Sequence, residues 1–133
     1  MRHPSHGVLA AVLGLLAVAA PLLAHHSISA EFDPKKERTI NGVLKGVLWT
    51  NPHIVTLVNV TDPKTGRVET YSLQGNGPAG YHRAGIYKKD WVAGKPVTAT
   101  FIAAKDGTKT LGFLKMLKYN DNGRILVFRV GGQ

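Results

Sequence analysis

The stretch RTINGVLKGVLWT, residues 38–50, decides how the chain is read. It is rich in Val, Leu, Ile and Thr, ends on an aromatic, and carries Gly42 and Gly46 four positions apart. On a strand, positions four apart share a face, and glycines there let the strand bend sharply and admit a neighbouring backbone. The stretch therefore predicts a long, bent first strand.

Downstream, HIVTLVNV (53–60) and RVETYSLQ (67–74) have strand character and are joined by TDPKTG. Pro63 presets a turn there and Gly66 can take positive φ, so the pair is predicted to form a hairpin. Residues 75–94 lose the alternation. Pro78 suits a first helical position and Gly85 a stop, which predicts one short helix at 78–84 followed by a turn anchored by Trp91. KPVTATFIAA (95–104), a tight KDGTK turn, TLGFLKMLKY (110–119) and, after NDNG, RILVFRV (124–130) supply further strands.

Three strands, a helix and two strands, plus an extra strand, is the order of an OB-type barrel, in which closure removes exposed sheet edges. The fold class is thus mainly all-β: a small OB-like barrel of five to six strands with one short helix between strands 3 and 4. A small sandwich is the alternative. The barrel domain is set at 38–133. Residues 25–37 are predicted as an amino-terminal arm, extended on the barrel over 28–37 with Phe32 as its anchor.

Upstream, Met1-Arg2-His3, an uncharged run from Gly7 to Ala20, Pro21 and Leu22-Leu23-Ala24 have the layout of a secretory signal peptide over 1–24. The unbroken apolar run is shorter than the roughly 20 residues a spanning helix requires, so no transmembrane span is expected in the mature chain. Ala24 is the best residue to precede the cut, which makes His25 the mature amino terminus and the protein periplasmic or secreted. Cysteine is absent, so no disulfide or thiolate site is available.

The formal net charge is +9, of which the leader contributes only Arg2. Such a balance favours anionic partners, and for an exported protein these are envelope components rather than nucleic acid. The lysines and arginines are scattered, and scattered charge also serves solubility alone.

The segments AHHSISAEFD, GVLKGVLWTNPH and AAKDGTKTL together resemble the exported bacterial proteins of the DUF6152 family. The resemblance covers essentially the whole mature chain. It rests on His25, His26 and Ser27, on Trp49, Thr50, Asn51, Pro52 and His53, and on Lys105, Asp106 and Gly107. It implies export and fold, and no established activity. The 71–91 region departs from the family pattern, with Gln74 standing where a glutamate is expected.

The chemistry rests on histidines. After a cut at Ala24, His25 offers an α-amine and an imidazole that close a six-membered chelate, a nitrogen set suited to Cu(II) above Zn(II). His26 offers the alternative, a square-planar chelate through its imidazole, the deprotonated amide and the α-amine; either way the amino terminus supplies two or three nitrogen ligands. His53 is the natural further ligand, since TNPH falls in the loop between the first two strands, which borders the usual binding face of an OB-type barrel. Pro52 would restrain Asn51 and so aim His53. Asp106, in the loop between the fourth and fifth strands, could supply an oxygen or orient an imidazole.

Trp49, Asn51 and Asp106 are the remaining residues of this candidate binding face. Each has a plainer reading. His25-His26 also reads as a polar linker, His53 as a strand-start imidazole packed on Trp49, and Asp106 as a residue that a tight turn wants anyway. His82 reads as a surface residue beside Arg83. Trp49, Tyr71, Tyr81 and Trp91 read as core or rim aromatics that could also line a groove.

The competing function is a metal-free module that holds an anionic polymer, lipid headgroup or envelope protein on a basic barrel face. No nucleophile elbow, phosphate loop or telling carboxylate pair is present, so an enzyme is not expected. Copper redox chemistry at the amino terminus is the one catalytic option, similar to a histidine brace in ligand type only.

Overall fold

The structure, a computed structural model, describes residues 28–128. The leader, His25, His26 and the last five residues lie outside the described residues, and so do the expectations placed on them. A short helix α1 (Ile28–Glu31) precedes β1 (Phe32–Leu48), β2 (Val55–Thr61) and β3 (Val68–Gln74). Then come α2 (Pro78–Arg83), a 3-10 turn (Lys88–Asp90), β4 (Pro96–Ala104), β5 (Leu111–Tyr119) and β6 (Ile125–Val127).

The strands pair in the order β3-β2-β1-β4-β5-β6, and β3 also pairs with β5. That last pairing is parallel, through Ser72↔Leu111 and Gln74↔Phe113, and it closes a five-stranded OB-like barrel. β5 has one edge left after β4 is paired. Its first residues give that edge to β3 and Met116–Lys118 give it to β6. The extra strand therefore covers the length of β5 that β3 does not reach, leaving less unpaired backbone.

β1 makes closure possible because it belongs to both halves, pairing with β4 over Glu37–Val43 and with β2 over Val43–Leu48. At the changeover the backbones come close: a Cβ on Gly42 would lie 2.3 Å from the Asn59 carbonyl oxygen and 2.9 Å from Val58 Cγ1. Leu44 opposes Val58 and Gly46 opposes Leu57, so Lys45 is the extra residue of a β-bulge. Before the bulge Ile40 and Leu44 face the core; after it Val47 and Trp49 do. The expectation that Gly42 and Gly46 share a face is corrected, because the inserted residue breaks the two-residue period.

The amino-terminal segment also differs from its expected form. Ile28–Glu31 make a helical turn, and β1 begins at Phe32, not Arg38, with Phe32 opposite Ala104 and an irregular register until Glu37. Phe32 is buried in a satellite cluster with Ile102, Ala104 and Phe113, flanked by Ile28 and Leu111. The Phe32 and Phe113 rings meet edge-on at 5.8 Å. Ile102 and Phe113 alternate with Phe101 and Leu114, which face the main core, so this cluster lies on the outer wall of the barrel.

Gly42→Ala is expected to destabilise the protein by about 1–3 kcal/mol, the usual cost of forcing a methyl into filled space. Gly80→Ala, whose Cβ would meet nothing nearer than 3.4 Å, is the control expected to cost far less. Denaturant midpoints of the two variants check this; equal loss in both would contradict the close approach at Gly42.

Candidate functional site

The loop between β1 and β2 carries Trp49, Thr50, Asn51, Pro52 and His53, and its backbone is tied to the connection between β3 and α2. Ile54 N–H donates to the Asn76 carbonyl at 3.2 Å, and Gly75 N–H to the Ile54 carbonyl at 2.9 Å. The Asn51–Pro52 peptide is cis. A Cβ on Gly77 would lie 2.7 Å from the Pro52 carbonyl oxygen and 3.3 Å from Asn51 Oδ1, so the two segments meet backbone to backbone.

His53 is half-buried, with Nδ1 3.0 Å from the Gly75 carbonyl oxygen. A carbonyl only accepts, so Nδ1 carries the proton of this bond and Nε2 of the neutral ring keeps its lone pair. The Thr50 hydroxyl donates to the His53 carbonyl at 3.3 Å. The imidazole that meets the Trp49 ring is that of His82, at 5.7 Å. His53 itself turns to Gly75 instead of packing on the residue four positions before it.

Trp49 also touches Trp91 at 5.4 Å and Tyr81 at 5.9 Å. Both of those rings pack on Phe128 as well. The Trp91 indole N–H donates to Thr56 Oγ1 at 2.9 Å in the barrel interior, which accounts for a fully buried threonine among apolar side chains. Tyr81 Oη is buried without a hydrogen bond of good geometry, close above Gly75. Burial pushes its pKa well above the ordinary tyrosine value, offset in part by the Asn76 backbone N–H.

The 3-10 turn is pinned by Asp90, which is 7% exposed. Its carboxylate accepts the Tyr87 N–H at 2.7 Å and an Arg124 guanidinium N–H at 2.6 Å. Its carbonyl accepts the Tyr119 hydroxyl, which in turn accepts the Val92 N–H at 2.9 Å. The Tyr87 N–H, with Arg124 adding to it, holds the Asp90 carboxyl below the usual 3.8 despite its burial.

Of the candidate site residues, Trp49, Asn51 and His53 share one loop. Asp106 lies in the turn between β4 and β5, where its exposed carboxylate accepts the Thr108 N–H at 2.8 Å and its pKa is lowered by that bond. This turn adjoins α1: Lys105 N–H donates to the Glu31 carbonyl at 2.9 Å and the Lys105 ammonium to the Ser29 carbonyl. Phe113 of the outer cluster pairs with Gln74, and Gln74 with Val55. One strand thus separates the α1 patch from the start of β2, about two strand spacings or ~10 Å.

Among the described residues no group of three or more His, Cys, Asp or Glu is placed to hold a metal ion. No helix among them is long and apolar enough to cross a membrane.

An OB-like barrel with a histidine-bearing loop after its first strand defines a class of architecture more than an activity. A profile described as a family of unknown function, DUF6152, matches residues 11–113, and the chain belongs to that family. Neither a curated protein nor a solved structure matches the chain.

Thr56→Val is expected to cost about 1–3 kcal/mol by stranding the buried indole N–H, with a change in tryptophan emission. Asp90 gives a pH signature. Its folded pKa is depressed, so its contribution is complete above the ordinary carboxyl range and is lost as pH falls through the folded value. Denaturant midpoints of the parent should drop more than those of Asp90→Asn between about pH 5 and about pH 2. Parallel curves would refute the role given to Asp90.

Proposed function

We propose that the protein is exported, is cut after Ala24, and binds Cu(II) through His25, His26 and His53, with Zn(II) the weaker alternative. The observation that carries this reading is the His53 ring. A bond from Nδ1–H to a backbone carbonyl fixes tautomer and orientation and leaves Nε2 to coordinate, the outer-shell arrangement typical of metal-binding histidines.

Cleavage would free the His25 α-amine, so amine and imidazole nitrogens meet in one chelate, a set that ranks Cu(II) above Zn(II). Phe113, in the outer cluster that Ile28 packs against, lies ~10 Å across the sheet from the start of β2, and three residues span up to about 10 Å before their side chains are counted. Gln74 lies on the row between the two ends and offers a neutral amide. The function is read as ion capture.

Protein recovered from an exporting host is expected to have an intact mass that begins at His25. Cu(II) titration should show affinity falling about tenfold or more in His53→Ala and further in the variant that also lacks His25 and His26. Equal Cu(II) affinity in the triple variant, or a mature chain that starts elsewhere, would overturn the proposal.

A further inference from the structure

In the last turn of α2, the His82 ring lies 5.7 Å from Trp49 and stacks on Tyr87 at 5.1 Å with an interplanar angle of 28°. The Lys89 ammonium sits 5.7 Å from the Tyr87 ring centre. His82, Tyr87, Lys88 and Lys89 together line a shallow site that is open to solvent. All four are exposed, Tyr87 by 45%. A row of rings that begins in the core at Trp91 therefore continues through Trp49 to a face open to solvent.

The charge around this row is one-sided. Between Glu69 and Asp106 the only carboxylate in the sequence is Asp90, against Arg83, Lys88, Lys89, Lys95 and Lys105. Asp90 is engaged by Tyr87 N–H and Arg124, and Lys95 by Asp121 at 2.8 Å. Among the described residues neither Lys88 nor Lys89 forms a salt bridge, although Lys89 adds to the lowering of the Asp90 pKa, so both border the rings as cations.

We propose that this groove binds an acidic saccharide, a pyranose bearing a carboxylate or phosphate. The apolar C–H face of the sugar would pack on Tyr87 and the anionic substituent would accept from Lys88 and Lys89 in charge-assisted hydrogen bonds. A bare inorganic anion has no use for the rings. A lipid surface calls for protruding aliphatic side chains, whereas the exposed groups here are two rings and two lysines. The proposal is independent of metal binding by His53 and places an anionic partner away from the outer barrel wall.

The test uses the recovered protein, isotope-labelled and kept in chelator, titrated with trigalacturonate, maltotriose, tripolyphosphate and phosphatidylglycerol vesicles. Trigalacturonate is expected to shift the amides of residues 82–89 saturably. Its affinity should fall about tenfold or more in Tyr87→Ala and in Lys88→Glu/Lys89→Glu, at unchanged unfolding midpoints. Maltotriose binding as tightly would remove the role of charge, and undiminished affinity in Tyr87→Ala would remove the role of the ring. Tripolyphosphate or vesicles binding as tightly as trigalacturonate, or no saturable shift with trigalacturonate, would equally overturn the proposal.

Discussion

The extra residue at Lys45 is the constraint on which the barrel depends. A strand that pairs with β4 on one side and β2 on the other must turn through the barrel wall, and a flat strand of this length would instead extend an open sheet. The bulge supplies the turn and reverses which parity faces inward. Trp49 thereby enters the core next to Tyr81 and Trp91, and the following loop is delivered against Gly75, Asn76 and Gly77. Without that reversal Trp49 would point to solvent and the loop would have no partner.

Much of this was legible in the residues. The hairpin around Pro63 and Gly66, the helix opened by Pro78 and ended before Gly85, and the strand order that implies closure follow from local turn and helix chemistry. The bulge was not, because GVLKGVLW is apolar in either parity and alternation cannot tell which phase a strand adopts. The start of β1 at Phe32 was missed for a related reason: DPKKE looks like loop, and only pairing to β4 makes it strand. At the candidate site, Trp49 and His53 were visible as a motif. The Gly75 carbonyl that fixes His53 is far along the chain, and His82, exposed as its reading as a surface residue implies, is also the imidazole that meets Trp49. A histidine and a tyrosine on either side of a glycine turn were the available signal for the His82–Tyr87 stack.

The two segments that hold the site use different physics. The β1–β2 loop is held by backbone hydrogen bonds and by two glycines that permit close approach. The segment after α2 is held by one buried carboxylate that gathers a backbone N–H and an arginine. The first gives shape without charge. The second pairs the buried Asp90 carboxylate with Arg124, which leaves Lys88 and Lys89 to set the exposed charge beside Tyr87.

Phe32 and its neighbours form a small core outside the barrel, separate from the one that holds the strands together. Structural units with their own contacts open with their own free energies. The first described turn of the chain can therefore detach and rebind while the barrel stays closed, and amide exchange there would proceed by sub-global opening. The reach of whatever precedes Ile28 is then a population-weighted quantity, governed by how tightly one phenylalanine sits on the outer wall.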